Sequence, residues 1–324
     1  MYPYNERPFK QLFSFINTFI MHKKITPYIL LLLPILSCAS SNADPVAQEV
    51  TLEDLEVKNG QSMLWKVEGA DIHTAYFFGT IHMINENYYR FSENLSKRIE
   101  KSDAIIMEVG GMPNPLKAFQ LMSLDTGTVH SYFSREQLIE LLAFMDQELG
   151  ITPQEFDQTY GAMKPFFLLQ TITSNYFEST AKSYDLTVMS IAGENKIPLI
   201  GLETIEQQLG FFDEVPTDKM AEMILESIRD YEKEVENTLK LMELYFKEKV
   251  DKLIPLLNKK SPEFMEFADL FLYNRNRAWV PKLEEEMKDK SCFVAVGAGH
   301  LFGENGLIDL FEKKGYTLTA ISSE

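Results

Sequence analysis

Short apolar runs punctuate the chain, and most of them end in glycine. SMLWKVEG and TAYFFGTIH read as two strands separated by ADIH. The second is nearly continuously apolar, which predicts a central position in a sheet. AIIMEVGG reads as a third strand, KIPLIGLET as a fourth, and CFVAVGAGH and YTLTAIS as two more near the end. Between them the period changes. NENYYRFSENLSKRIEKSD is amphipathic and predicts a helix, giving the strand–helix–strand run of an α/β sheet. From about Pro115 to Glu194 the pattern is helical. There SREQLIELLAFMDQELG opens with a Ser134/Gln137 capping box and stops at Gly150.

A long helical stretch follows. Met220, Ile224, Ile228, Tyr231, Val235, Leu239 and Met242 fall three or four apart and predict one stripe on one face. SPEFMEFADLFLYNRNRAWVPKLEEEMKDK predicts another helix or helix pair, with a break or kink near Pro281. GLIDLFEKKG reads as the last helix. The fold class expected is α/β, with a central mixed sheet and a large helical component.

With 324 residues, the chain can bury a large core. A formal net charge of −17 excludes the basic footprint that nucleic-acid binding needs. At the N-terminus, MHKKITPYILLLLPILSCASSNADP has a basic start, a short apolar run and then Leu36-Ser37-Cys38. This is the pattern of a secretory leader, too short for a comfortable membrane span. Its end resembles a bacterial lipobox. The expected organisation is a leader over residues 1–37, with Met21 as an alternative start, a tether over 38–58 and one domain over 59–324. Cys38 would carry the lipid and hold the protein at a membrane of the cell envelope. Ala39 next to it points to the outer membrane, facing the periplasm. An ordinary cleaved signal and an anchor helix are the alternatives. The other cysteine, Cys292, sits inside an apolar strand and reads as a small buried hydrophobe.

Of five histidines, only His82 and His300 follow an apolar strand and a Gly-x-x spacer. In α/β sheets, ligands bind beyond the carboxyl ends of strands. Gly79 and Gly297 would let the backbone turn sharply or approach a ligand. One histidine at a strand end is most often structural, but a matched pair at two strand ends points to a site. Glu108 ends the AIIME strand, where a carboxylate is unfavourable unless paired or metal-bound. Glu203 repeats the arrangement in IGLETIEQQ, where Thr204 could equally cap the following helix. Arg275 and Asn276 lie in a largely apolar helix, and a buried arginine needs a partner. Two histidines with one or two carboxylates suit Zn²⁺, Mn²⁺ or Co²⁺ with open positions for water. H-E-x-x-H and G-x-S-x-G are both absent from the sequence.

FFGTIH, IIMEVGG, KIPLIGLETIEQQL, LYNRNRAW and FVAVGAGHLFGENGLIDLFEKKGYTL come in the order of the TraB/GumN family, and the chain resembles a member of it. The resemblance covers most of residues 60–320. The Tiki members of that family resemble metal-dependent proteases. The resemblance therefore implies a Tiki- and erythromycin-esterase-like fold. It also implies a metal on His82, His300 and Glu108, with Arg275 and Asn276 matching as well. The expected activity is metal-dependent hydrolysis, with a peptide or protein substrate. In it Glu108 or Glu203 would take a proton from water, and Arg275 or Asn276 would hold the oxyanion or substrate. Relatives by fold leave two alternatives open: a lipoprotein that binds haem or metal without turnover, and a metal-free esterase with His82 or His300 as base.

Overall fold

The computed structural model describes residues 54–57, 60–111, 113–260 and 265–324. The leader, Cys38 and most of the tether lie outside the described residues. Six strands form one mixed sheet: β1 (Leu64–Glu68), β2 (Ala75–Thr80), β3 (Ala104–Val109), β4 (Leu199–Glu203), β5 (Cys292–Gly297) and β6 (Thr317–Ile321), in the order β4-β3-β5-β2-β1-β6. Neighbours among β4, β3, β5 and β2 pair parallel, and β1 runs antiparallel to both β2 and β6.

The helices in chain order are α1 (Glu93–Glu100), α2 (Pro115–Met122), α3 (Arg135–Gln147), α4 (Pro153–Tyr160), α5 (Pro165–Ser174), α6 (Tyr184–Glu194) and α7 (Ile205–Asp213). They continue with α8 (Thr217–Arg229), α9 (Tyr231–Phe246), α10 (Val250–Lys260), α11 (Asn274–Asp289), α12 (Ala298–Leu301) and α13 (Leu307–Lys313).

The described residues fall into two compact units. The smaller holds residues 113–175 and 220–229 and is helical. Its helices begin where the sequence signals them. Ser134 and Thr152 each form a capping box, and Pro153 and Pro165 occupy first turns. Arg229 ties α8 to α3 through a two-point pair with Glu140, at 2.8 and 3.0 Å.

The larger unit carries the sheet. Its parallel strands are apolar throughout because both sheet faces are covered. Alternate residues serve opposite faces. Phe78, Ile105, Met107, Phe293 and Ala295 pack with Val188 and Ala192 of α6 and with Met242 and Tyr245 of α9. Phe77, Ile106, Val294 and Val296 pack with Trp279 and Leu283 of α11 and with Leu307 and Phe311 of α13. Burying each such large side chain contributes roughly 1.5–3 kcal/mol, and these two layers hold the parallel strand ends rigid.

Four local expectations change. Only residues 93–100 of the NENYYRF…KSD segment form an α-helix, and the cap is Ser92, which accepts from Leu95 N. Before it, Tyr89 and Phe91 turn inward against Tyr184, with ring centroids 4.8 and 6.0 Å away, instead of following a helical period.

The long apolar stripe is divided at Asp230, whose φ of −113° and ψ of 36° end α8. Met220, Ile224 and Ile228 are buried in the smaller unit, while Met242 belongs to the core of the larger.

Pro281 does not break α11, which runs through it. Pro281 and Arg277 both lie on the exposed face, so the carbonyl that proline leaves unpaired meets water. The irregularity comes earlier, as a π-turn over Asp269–Tyr273 in which Asn274 N–H reaches back to Asp269 O.

Finally, Gly79 lies inside β2 and does not make a turn. A Cβ there would stand 3.2 Å from Ala298 Cα, so the glycine lets α12 pack against the strand.

Candidate active site

Four parallel strands deliver the candidate residues at their carboxyl ends. β2 ends at Thr80, two residues before His82, and β5 ends at Gly297, three before His300; Thr80 and Gly297 are partners in the ladder. Glu108 lies in the last turn of the pleat of β3, and Glu203 is the last residue of β4, paired with Val109. Arg275 and Asn276 enter from the first turn of α11, directly after the π-turn.

Arg275 joins these groups. Its Nε donates to Glu203 Oε2 at 3.1 Å, and its Nη2 donates to Glu203 Oε1 and, at 2.7 Å, to Glu108 Oε2. Its Nη1 donates to Phe271 O at 2.8 Å and to His300 Nε2 at 3.2 Å. A guanidinium has five N–H donors, and all five are accepted here. The cation also lies over the Trp279 ring, 4.8 Å from its centroid. The expectation that Arg275 holds a substrate or oxyanion does not fit this arrangement, because no donor remains. Its role is to bind two buried carboxylates and an imidazole together.

Asn276 is fully buried and fixes His300. Its Nδ2 donates to His300 O at 3.2 Å and to Asn305 O at 2.8 Å. The amide oxygen therefore faces His300 Nδ1, 2.7 Å away, and must accept. That assigns the proton to Nδ1 and leaves the Nε2 lone pair toward Arg275. Asn276, like Arg275, has no group left for a substrate. Burial lowers the pKa of His300 to about 4, so the ring is neutral at neutral pH.

Glu108 also accepts from Gly297 N at 2.9 Å through Oε1 and from Gln208 Nε2 at 2.9 Å through Oε2. Burial works to raise its pKa. The imidazoles of His300 and His82, the Arg275 guanidinium and the Gly297 amide outweigh that and hold it at about 2. Burial prevails at Glu203, whose pKa is raised despite Arg275; Trp279 Nε1 adds a donor at 3.3 Å. Thr204 caps α7 through a box with Gln207, so that turn serves both the helix and the site.

His82 stands apart from this buried group, with a ring that is 73% exposed. Its Nδ1 lies 2.9 Å from Asp185 Oδ2. Asp185 raises its pKa, to about 9, which makes the ring cationic at neutral pH; exposure to water screens part of that attraction. Asp185, Gln208 and Trp279 were not among the residues expected at the site. Asp185 is 103 positions from His82 and sits in the first turn of a helix, where an acid usually reads as a dipole partner.

The divalent metal implied by the resemblance does not fit these donors. Among the described residues, no three His, Cys, Asp or Glu side chains are grouped to hold an ion. The lone pair of His300 accepts from Arg275, and Glu108 is ion-paired with the same guanidinium. The cation that balances the buried carboxylates is thus part of the chain. His82 is engaged with Asp185 and carries its own proton.

The fold and site together define an α/β protein with an imidazole–carboxylate–guanidinium cluster at the carboxyl edge of its parallel strands. The model of the TraB/PrgY/gumN family matches residues 63–320, and the chain belongs to that family. No curated protein and no solved structure matches it.

Proposed function

We propose that this chain is a hydrolase that cleaves an ester or amide bond by histidine acid–base chemistry. The observation that supports this is the contrast between two imidazoles at adjacent strand ends. His82 is paired with an acid and cationic, and His300 is neutral with its Nε2 lone pair turned to Arg275 Nη1. Environments that push two like groups apart in this way assign one as acid and the other as base.

In the reaction, a water molecule replaces Arg275 Nη1 as the partner of His300 Nε2 and gives it a proton. The hydroxide oxygen bonds to the carbonyl carbon, and the tetrahedral intermediate collapses with cleavage of the carbon–oxygen or carbon–nitrogen bond to the leaving group. His82 then gives its proton to the departing alcohol or amine. Glu108 stabilises the imidazolium that forms at position 300, whose Nε2 lies 3.8 Å from Glu108 Oε1. Neither carboxylate serves as base: Glu108 is held too acidic, and Glu203 is gripped at both oxygens by Arg275. A lipid on Cys38 would anchor the enzyme to an envelope membrane. No helix among the described residues is long and apolar enough to cross one.

The test is hydrolysis of p-nitrophenyl esters and a quenched-fluorescent peptide library by the purified protein. Turnover should persist in EDTA. His300→Gln and His82→Gln should each lower kcat by about 10²–10⁴, the range for positioned acid–base groups. Turnover that vanishes with EDTA and returns with Mn²⁺ would restore the metal-dependent peptidase. No turnover together with a Soret band on adding haemin would favour the binding protein.

A further inference from the structure

The structure assigns Asp185 as the residue that positions His82, acting with Thr80 as its support. The inference rests on the reading of His82 as a proton-transferring group. Asp185 Oδ2 lies 2.9 Å from His82 Nδ1, and Asp185 Oδ1 accepts from Thr80 Oγ1 at 2.9 Å. The carboxylate is therefore held at both oxygens, on one side by the strand that leads to His82.

Its own backbone is equally fixed. Asp185 lies in the first turn of α6, where Ser183 accepts from Leu186 N. Val188 and Ala192, further along the helix, are buried in the sheet's core cluster. Thr80 is 1% exposed, so its hydroxyl is not free to trade this bond for water. An ordinary surface pair between histidine and aspartate has no such buried third member.

The consequence follows from the imidazole ring. With Nδ1 bound to Asp185, the proton of the neutral ring stays on Nδ1, and Nε2 points to the opposite side. His82 lies in a loop beyond β2 and is mostly exposed. Without Asp185 its ring would turn freely and hold its proton on either nitrogen. Asp185 thus does for the exposed histidine what Asn276 does for the buried one.

The experiment uses the full chain labelled with ¹⁵N-histidine, with His82→Gln identifying the His82 signals. Long-range ¹H–¹⁵N spectra are recorded at a pH where the ring is neutral. The wild type should show the Nδ1–H form, and Asp185→Ala should lose it. Thr80→Val should weaken it, and Asp185→Glu should restore part of it. With p-nitrophenyl acetate as probe, Asp185→Ala should lower kcat by on the order of 10²-fold with little change in KM. A mixed or Nε2–H form in the wild type would overturn the assignment, as would a form unchanged in Asp185→Ala. If the wild type shows no esterase activity, the hydrolase reading fails, and the spectra still decide the role of Asp185.

Discussion

Arg275 and Glu203 form a two-point grip, with Nε 3.1 Å from Oε2 and Nη2 on Oε1. The pair is almost completely buried, and Arg275 extends it to Glu108. Removing one member of such a group leaves charge stranded in the interior. Arg275→Ala should therefore destabilise the protein by about 3–5 kcal/mol. Arg275→Lys should recover little of this, since an ammonium cannot present a planar fork to Glu203. Urea unfolding measures both, and an alanine variant within about 1 kcal/mol of wild type would contradict the stated geometry.

Acid should unfold the protein in two overlapping stages. The folded pKa of His300 is lowered from 6.5 to about 4, and that of Glu108 from 4.5 to about 2. In both cases the unfolded chain binds the proton first as pH falls. Their contributions are fully present above pH 6.5; His300's is lost from there down towards 4, and Glu108's from 4.5 towards 2. His82 runs the other way: its pairing contributes below pH 6.5 and is lost as pH rises through about 9. Urea midpoints measured against pH should fall between pH 6.5 and 4, and His300→Gln should flatten that slope. An equal slope in both proteins would remove His300 as the cause.

Asn276→Leu should be more harmful than its size suggests. It strands two carbonyls and His300 Nδ1–H, each an unmet buried group worth about 1–3 kcal/mol. Asn276→Asp keeps one acceptor but removes both donations and adds a negative charge. Both should lower the melting temperature and reduce hydrolysis. Unchanged melting in the leucine variant would show that His300 is not fixed by this amide.

Gly110→Ala should separate β3 from β4. A Cβ there would stand 2.5 Å from Gly201 N, a backbone atom that cannot step aside. Overpacking of this kind costs typically 1–3 kcal/mol. Because Glu203 ends β4, activity should fall with stability. Full activity with native stability would mean that the strands are not so closely set.

The sheet was readable because its strands are apolar and end in glycine or polar residues. His82, Glu108, Glu203 and His300 could be picked out as strand-end groups for the same reason. What escaped was anything set by contact. Neither glycine nor proline marks the division at Asp230, and the exposed face of α11 absorbs Pro281 without a break. That Arg275 has no donor left depends on groups from β3, β4, α12 and the π-turn meeting around it. No spacing rule brings Asp185 to His82 from more than a hundred positions away.

The π-turn at Asp269–Tyr273 places one residue more in the turn than a regular α-helix holds. One surplus residue in a helix rotates everything after it by roughly 100°, the angle between neighbours in an α-helix. Here that rotation sets the faces of two consecutive residues, Arg275 and Asn276, both of which point inward. Deleting a single residue from this turn would restore regular helix bonding and could make the segment more stable. It would also swing the guanidinium away from Glu108 and Glu203. The chain thus carries a locally imperfect helix, and a shorter, better-formed sequence here would be a fitter helix and a lost site.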